Sequence, residues 1–233
     1  MNSKWFHIGI AAGAILASTL AVHAADIPRQ SYKAPLYSAP ADFNWTGLYI
    51  GINGGYGFGS SHHNFDVVGT TTGSYNISGA VAGLTVGYNW QLGRWVYGVE
   101  GDFDWSGIKG TAPCPGPGFT CGTDSTWLGT ARGRFGYAFD RWLPYITAGA
   151  AFGNIKATID PSSAAFPGAS ATRIGWTGGA GVEYALWQSW SVKAEYLYVS
   201  LGDMDCATGC SGIGADKVGF KASLVRGGIN YRF

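Results

Sequence analysis

The end of the chain, residues 218–233, reads VGFKASLVRGGINYRF and decides how the rest is interpreted. Four apolar side chains of this stretch share one face: Val225, Ile229, Tyr231 and Phe233. The residues between them, including Arg226 and Arg232, share the other face. Because side chains of a β-strand alternate between its two faces, this pattern predicts a terminal strand with one apolar and one polar face.

The chain ends on Phe233, with a second aromatic residue two positions earlier. This ending resembles the closing strand of bacterial outer-membrane β-barrels, which ends in Phe and serves as the insertion signal. The resemblance implies that the four apolar residues form a C-terminal assembly signal, with the polar face lining the barrel and the apolar face meeting lipid. The alternative is an ordinary terminal strand of a soluble antiparallel sheet.

The amino terminus has the pattern of a secretory signal peptide. Residues 1–7 carry a single charged residue, Lys4, and residues 8–22 are an apolar, Ala-rich run. Small residues then precede the predicted cleavage site after Ala24, with cleavage after Ala25 as the second choice. The run of residues 8–22 is shorter than a transmembrane helix usually is. No other stretch has the roughly 18 apolar residues that a spanning helix needs. If the exported protein sits in a membrane, it does so as a barrel.

The composition agrees with export to a membrane. The apolar share of 46% is ordinary, but only 12% of residues are charged, about half the usual ~25%. Loss of Lys4 with the signal leaves 14 basic residues against 14 acidic ones, since the chain has 15 and 14. A neutral chain gives no reason to expect nucleic acid as a partner.

The exported chain divides into a tail and a long alternating region. Residues 25–43 contain Pro28, Pro35 and Pro40 among small and polar residues, which predicts an extended periplasmic tail. Residues 44–233 are predicted to form one domain. Alternation recurs there in eight segments: residues 44–60, 78–91, 94–107, 124–139, 143–156, 172–186, 190–201 and 218–233. Each is long enough to cross a bilayer as a tilted strand, for which about 9–11 residues suffice.

The connections alternate between short and long. Three are tight turns, while residues 61–77, 108–123, 157–171 and 202–217 are predicted to be long loops. Short periplasmic turns and long extracellular loops are typical of outer-membrane barrels. Aromatic residues cluster near both sets of connections, as expected at two lipid–water boundaries. The sequence therefore predicts an all-β fold, an eight-stranded antiparallel transmembrane β-barrel.

The first segment carries a family resemblance. Residues 44–57, NWTGLYIGINGGYG, resemble the WTGFYIG…GGY signature of small alphaproteobacterial outer-membrane β-barrel proteins. These are called porin-family or RopB-type proteins and belong to the wider OmpA-like barrel group. The signal peptide, the tail and the terminal strand are similar too, so the resemblance covers the whole chain. It implies a location in the outer membrane of a Gram-negative bacterium and a structural, adhesive or weakly pore-forming role.

The inward face is predicted to carry a charge network. Its members would be Glu100, Asp102, Asp104, Arg132, Arg134, Glu183, Lys193, Glu195, Arg226 and Arg232, with Arg94, Arg173 and Lys156 as further bases. Neighbouring strands would pair Arg132 and Arg134 with Glu100 and Asp102. Lys193 would likewise pair with a carboxylate on the next strand, that of Glu183. An eight-stranded barrel is just wide enough to be filled by side chains, so we expect a packed plug; the alternative is a narrow polar conduit.

The four cysteines occupy two of the predicted loops. Cys114 and Cys121 lie in one, and Cys206 and Cys210 lie in another. Exported chains meet an oxidising periplasm, which favours disulfides over a zinc site. Four cysteines allow three pairings. The two loops would lie on opposite sides of the barrel, so we expect each pair to form within its own loop.

No catalytic, cofactor-binding or metal-binding residue is predicted. The histidines after the signal are His62 and His63, next to Ser60 and Ser61, and no third group is placed to orient a nucleophile and its base. We expect a non-enzymatic outer-membrane protein with a structural and surface-presenting role and a lumen filled by charged side chains. The alternatives are a small non-specific porin and, less favoured, a lipid-modifying enzyme. Expected partners are outer-membrane lipid and, during insertion, periplasmic chaperones and the barrel-assembly machinery.

Overall fold

A computed structural model describes residues 43–65, 69–162, 168–205 and 216–233. The predicted signal peptide and nearly all of the predicted tail lie outside these residues, as do Cys206 and Cys210. Eight long strands follow one another: β1 Gly47–Phe65, β2 Tyr75–Leu92, β3 Trp95–Pro113, β4 Thr120–Tyr137, β5 Trp142–Asp160, β6 Ala169–Ala185, β7 Trp190–Asp205 and β8 Asp216–Arg232. A two-residue strand, Thr70–Thr71, pairs with the end of β1. No helix of the described residues is long and apolar enough to span a membrane.

The strands form a closed antiparallel barrel, which confirms the predicted fold class. Each strand pairs with the next in sequence, and β1 also pairs with β8. That closing ladder runs from Tyr49 opposite Arg232 to Phe65 opposite Asp216. Closure gives each of the eight long strands two neighbours, so the middle of the barrel has no open sheet edge among the described residues. The pattern of connections in the sequence predicts that the short-turn end faces the periplasm, and we call it the periplasmic end.

The strands are longer than the sequence predicted. They contain 16 to 19 residues, whereas about 9–11 suffice to cross a bilayer. More than half of the predicted loops 61–77 and 108–123 is in fact strand, and only residues 114–119 separate β3 from β4. The strands also extend into both ends of the predicted loops 157–171 and 202–217. The prediction of long loops was therefore wrong at residues 61–65, 108–113 and 157–160, among others. We call the strand residues at this end the outer extension: residues 61–65, 75–77, 108–113, 120–125, 155–160, 169–171, 202–205 and 216–221.

The outer extension was missed because its polarity is reversed. Across the middle of the barrel, large apolar side chains point outward and are exposed: Ile50, Ile52, Leu84, Val86, Val99, Phe103, Ile146, Val225 and Ile229. In the outer extension, Ile108 and Ile155 point inward and are fully buried, while the adjacent Lys109 and Lys156 are exposed. A strand in water buries its apolar face and exposes its polar one. The alternation continues, but the face that is apolar changes.

The ladders shift register at three places: between Trp105 and Ile108 on β3, between Ser125 and Leu128 on β4, and between Ser200 and Gly202 on β7. The shift on β4 changes which residues face inward, because Ser125 and Leu128 are both buried. A β-bulge of this kind adds a residue to one strand and reverses the alternation beyond it. Alternation back from Thr130 and Arg132 would place Thr126 on the inward face, but Thr126 is exposed, and its hydroxyl contacts the Asn154 side chain at 3.2 Å. Leu128 takes an inward place and is 1% exposed.

Cys114 and Cys121 form a disulfide across the tip between β3 and β4. This confirms the prediction that these two cysteines pair locally. Cys121 is fully buried and packs with Ile159 on the neighbouring β5 and with Phe65 on β1. The bond therefore ties the tip to the end of the outer extension.

Replacing Cys114 and Cys121 together by serine should loosen the tip and leave the barrel folded. Closing so short a loop contributes about 2–3 kcal/mol in the chain-entropy account. Limited proteolysis should then cut between residues 114 and 121 much faster than in the unmutated protein. The heat-modifiable migration of the barrel in gel electrophoresis serves as the control and should not change. Equal cleavage rates with and without the disulfide would contradict this expectation.

Candidate functional site: the barrel interior

Charged side chains enter the interior from five strands. On β3 they occupy every second position, Glu100, Asp102 and Asp104, and the ladder places Glu100 opposite Arg132 of β4. We call the following nine residues the charged layer: Glu100, Asp102, Asp104, Arg132, Arg134, Glu183, Lys193, Glu195 and Arg226. None is more than 7% exposed. Burial at this depth requires that the charges be paired and hydrogen-bonded.

Arg226 of β8 contacts three carboxylates. Its Nη1 lies 2.7 Å from Asp104 Oδ2, its Nη2 lies 2.8 Å from Asp102 Oδ2, and its Nε donates to Glu195 Oε2 at 2.8 Å. The planar guanidinium presents donors in fixed directions, which suits several carboxylates around one group. Arg226 is thus the base at the centre of this part of the charged layer.

Arg132 of β4 also joins three acids. It contacts Glu100 at 2.5 Å, Asp102 at 2.6 Å and Glu195 at 2.9 Å. The first two contacts are the predicted pairs between neighbouring strands. The third crosses the interior from β4 to β7. Thr85 and Thr130 complete the set, because each hydroxyl donates to a carboxylate oxygen of Asp102 at 2.8 Å.

Arg134 is held at the periplasmic side of the charged layer. It donates to Glu183 of β6 at 2.8 Å and to the Tyr49 hydroxyl at 3.0 Å. Its guanidinium carbon lies 3.9 Å from the centre of the Tyr145 ring, a cation–π geometry. Alternation along β1 places Tyr49 on the inward face, so its direction could be predicted. No residue pattern shows which base the two tyrosines contact.

The predicted pair of Glu183 with Lys193 is wrong, although the two residues are opposite each other in the ladder between β6 and β7. Lys193 Nζ contacts Glu100 at 3.1 Å instead, and Glu183 pairs with Arg134. The interior of an eight-stranded barrel is so narrow that long side chains reach across it as easily as along the wall.

Four predicted inward bases lie outside the charged layer. Arg232 was placed in the network but is at the periplasmic end, where it donates to the Gln188 carbonyl oxygen at 2.5 Å and its guanidinium covers the Phe43 ring at 4.2 Å. Arg173 reaches the backbone oxygen of Asp203. The other two, Arg94 and Lys156, are exposed, at the first turn and on the outer extension respectively.

An apolar layer fills the interior on the outer side of the charged layer. The change is visible along β8, whose inward residues Val218, Phe220, Ala222 and Leu224 are buried and apolar until Arg226 begins the charged part. The complete set is Ile77, Val81, Ile108, Leu128, Ala151, Ile155, Ala157, Leu197, Val199, Leu201, Met204, Val218, Phe220, Ala222 and Leu224. Sequence reasoning missed this layer, although the alternating apolar residues at the start of the terminal strand were the signal for it.

A second, smaller apolar cluster lies at the periplasmic end. Trp45, only 1% exposed, packs there with Val96, Ala138, Leu143 and Ala185, and Phe43 packs against the cluster. The charged layer thus lies between apolar residues on both sides. Among the described residues no group of three or more His, Cys, Asp or Glu side chains could hold a metal ion.

The four residues of the predicted assembly signal lie on the outer wall. Val225, Ile229 and Phe233 are exposed at 54%, 44% and 69%. Tyr231 packs between Trp190 and Phe233. The Phe233 amide donates to the Leu48 carbonyl oxygen at 3.0 Å, so the last residue contacts the first strand at the closing seam.

A closed antiparallel barrel with an apolar outer band and a buried charged interior defines the class of outer-membrane β-barrel proteins. The chain belongs to the family described as outer membrane protein beta-barrel domain, whose model matches residues 12–233. The protein is located in the outer membrane of a Gram-negative bacterium.

Two relatives show the same family. The 31 kDa outer-membrane immunogenic protein of Brucella melitensis biotype 1 is 38% identical over 239 residues, which cover 94% of this chain and 98% of the relative. The 22 kDa outer membrane protein of Rhizobium leguminosarum bv. viciae is 33% identical, over 82% of this chain and 79% of its own. The predicted likeness to alphaproteobacterial outer-membrane proteins is confirmed.

Solved structures give a weaker likeness. Ail of Yersinia pestis is 16% identical with a TM-score of 0.43, over 81% of this chain and 99% of its own. Neisserial surface protein A is 15% identical with a TM-score of 0.43, over 81% of this chain and 98% of its own.

Proposed function

We propose that this protein is a structural, non-enzymatic outer-membrane barrel with a lumen that does not conduct, and that it presents its outer extension at the cell surface. The observation that carries the proposal is the change of the inward face from charged to apolar along β8, between Arg226 and Leu224. A porin needs a continuous polar path, and this face is interrupted by an apolar layer several residues deep.

The charged layer supports the same proposal. Its five acids and four bases are joined by contacts of 2.5 to 3.6 Å. Each of the four bases contacts at least one carboxylate, so no guanidinium of this layer is left to attract anions from solution. A charged side chain of this layer would have to lose its partner before an ion could pass. Leaving a buried charge unpaired is strongly unfavourable. The predicted narrow conduit is therefore the less favoured alternative.

The outer extension supports surface presentation. Its inward residues form an apolar core together with a few buried polar side chains such as His63 and Thr123, most of its outward residues are polar, and the Cys114–Cys121 disulfide closes one tip. Such a structure holds its shape in water beyond the membrane. It would present a rigid polar surface rather than flexible loops. The surface ligand would be recognised there, and the lipid contacts would be made by the outward apolar band below it.

The absence of catalysis is part of the proposal. His63 is fully buried, with Nε2 3.2 Å from the Thr123 hydroxyl, and His62 lies 3.8 Å from Asp203 on the outer extension. A nucleophile needs a base within hydrogen-bond reach and access to substrate. His63 has no access to substrate, and the Ser61 hydroxyl donates to Thr123 at 3.0 Å. The described residues thus give the lipid-modifying alternative no supporting geometry.

Biogenesis follows from the predicted segments. We propose that residues 1–24 direct export and that residues 25–43 remain as a periplasmic tail. The exposed apolar face ending in Phe233 would then be read by chaperones and by the barrel-assembly machinery.

Surface presentation is tested by labelling intact cells. Thr111→Cys places a thiol on the exposed face of the outer extension, and Leu92→Cys places one at the first periplasmic turn, where Leu92 is 70% exposed. A membrane-impermeant thiol reagent should label the first variant and spare the second until the cells are opened. The unmutated protein gives the background. Labelling of Leu92→Cys in intact cells, with Thr111→Cys protected, would reverse the proposed orientation.

A further inference from the structure

The residues just before β1 cross the periplasmic mouth of the barrel instead of following its wall. The sequence predicted a strand from residue 44, whereas β1 begins at Gly47. Trp45 enters the interior and is 1% exposed, among Val96 and Leu143. The Phe43 ring packs edge-on against the Trp45 ring at 4.8 Å. We call residues 43–46 the periplasmic plug.

The first two periplasmic turns hold the periplasmic plug by hydrogen bonds. The Trp45 amide donates to Gln91 Oε1 at 2.6 Å, at the first turn, and the Gln91 amide donates to the Thr46 hydroxyl at 3.0 Å. At the second turn the Trp45 indole nitrogen donates to the Asp140 carbonyl oxygen at 3.2 Å, and the Phe43 amide donates to an Asp140 carboxylate oxygen at 3.4 Å. A single residue, Asp140, therefore accepts from both aromatic residues of the plug.

The backbone of Asp140 is unusual in a way that fits this role. Its φ is 54°, the one positive φ among the described residues that have a side chain. This left-handed conformation is sparsely populated outside glycine, although Asp tolerates it better than most residues. Unfavourable backbone conformations persist where the surroundings fix them, and they are enriched at functional positions. Here the conformation coincides with the two hydrogen bonds to the plug.

The last strand and the third turn complete the enclosure. The Arg232 guanidinium lies 4.2 Å from the Phe43 ring centre and 5.9 Å from the Trp45 ring centre. The same guanidinium donates to the Gln188 carbonyl oxygen in the third turn. All three short turns, together with Arg232 at the end of β8, thus meet at the periplasmic plug. This also explains why Arg232 is absent from the charged layer.

We propose that residues 43–46 are a removable closure of the periplasmic mouth. The contacts that hold the plug are hydrogen bonds, aromatic packing and a cation–π contact, and all of them can be broken without unpairing a strand. Directly beneath the plug lie Tyr49, Asn89, Glu183 and Ser191, which line a small cavity together with Trp45. Withdrawal of Trp45 would expose the charged layer at this mouth while the outer apolar layer stayed in place.

The inference is tested with a thiol placed beneath the plug. Ser191→Cys changes a residue that is 7% exposed and faces the interior. A membrane-impermeant thiol reagent should modify this cysteine slowly in the purified, folded barrel, with the site assigned by mass spectrometry. Adding Trp45→Ala should speed the modification by roughly tenfold or more, because opening no longer has to break the packing of the plug.

Two further variants make the result specific. Trp187→Ala removes a tryptophan from the same end that is 67% exposed and is not part of the plug, and it should leave the rate unchanged. Gln91→Ala removes the acceptor of the Trp45 amide and should give a smaller acceleration, which carries the test if Trp45→Ala does not fold to the heat-modifiable form. Equal rates in all folded variants, or modification of Ser191→Cys as fast as in urea, would overturn the proposal. The expected acceleration depends on variants at the periplasmic mouth, so its failure is distinct from ion conduction across the whole barrel.

Discussion

Replacing Arg226 by alanine is expected to destabilise the barrel by about 3–5 kcal/mol. Its guanidinium is the shared partner of Asp102, Asp104 and Glu195, all buried. Removing it leaves excess negative charge where water does not reach, and the cavity left by the side chain adds to the cost. Urea unfolding in detergent, followed by the heat-modifiable gel shift, measures the loss.

A matched control is available on the same strand. Lys221 of β8 is exposed on the outer extension, and Lys221→Ala should change stability by no more than about 0.5 kcal/mol. Arg226→Met keeps most of the volume and should still lose most of the stability, because the unpaired carboxylates rather than the cavity dominate. Similar small losses for Arg226→Ala and Lys221→Ala would show that the charged layer does not hold the barrel together.

Val86→Arg is expected to cost about 2–4 kcal/mol in a lipid bilayer. Val86 is 52% exposed near the middle of the outward apolar band, so a guanidinium there would have to enter hydrocarbon. Ala148→Arg, at a comparable position on β5, should behave in the same way, and Val192→Arg should do so less strongly because it lies next to Trp190 near the periplasmic boundary. Folding into vesicles followed by urea titration measures the difference.

Two control positions show whether contact with lipid causes the destabilisation by Val86→Arg. Thr111→Arg, on the exposed face of the outer extension, should be nearly neutral because that face meets water. Thr85 is 3% exposed and faces the charged layer, so Thr85→Arg should destabilise through overpacking, by about 1–3 kcal/mol, and its cost should not depend on bilayer thickness. If Val86→Arg and Thr111→Arg cost the same, the assignment of the apolar band to lipid would be wrong.

Much of the barrel follows from local alternation, because the faces of a strand are set by a period of two. Leu84, Val86, Thr85 and Asp102 all face as their positions predict. The ladder pairs of neighbouring strands follow as well, since tight turns fix the register. This is why the contact of Arg132 with Glu100 could be predicted from the sequence.

Contacts across the interior could not be predicted. The contacts of Arg134 with Glu183 and of Arg132 with Glu195 join strands that are not neighbours, and they depend on the width of the barrel. Bulges have the same effect at a smaller scale, since the slip before Leu128 reverses the facing of Thr126. Neither the contacts across the interior nor the β-bulges have a recognisable pattern in the sequence.

The outer extension was missed for a different reason. Residues such as Ile108 and Phe220 alternate as regularly as those of the membrane band, but their apolar face points inward. The predicted strands were recognised by their apolar outward face, and that pattern stops where the outward residues become polar. The solvent around a strand, rather than its backbone, decides which alternation it needs, so both polarities have to be considered along each strand.

The central claim is that the interior is closed by two different layers. If the predicted charge plug alone closed the lumen, removing Arg132 and Arg134 would be expected to open it. The structure changes that expectation, because the apolar layer remains when both guanidinium groups are lost. Arg132→Ala with Arg134→Ala should therefore destabilise the barrel without opening it. A conducting path should require loss of the apolar layer too, for example through Leu197→Gly and Leu224→Gly.

Recording ion current through the purified, unmutated protein in a planar lipid bilayer tests this claim most directly. The account predicts no steady conductance from a protein that migrates as the folded, heat-modifiable form, with any current appearing only after the apolar layer is reduced. A stable, anion-selective conductance from the unmutated protein would contradict it and would favour a small pore.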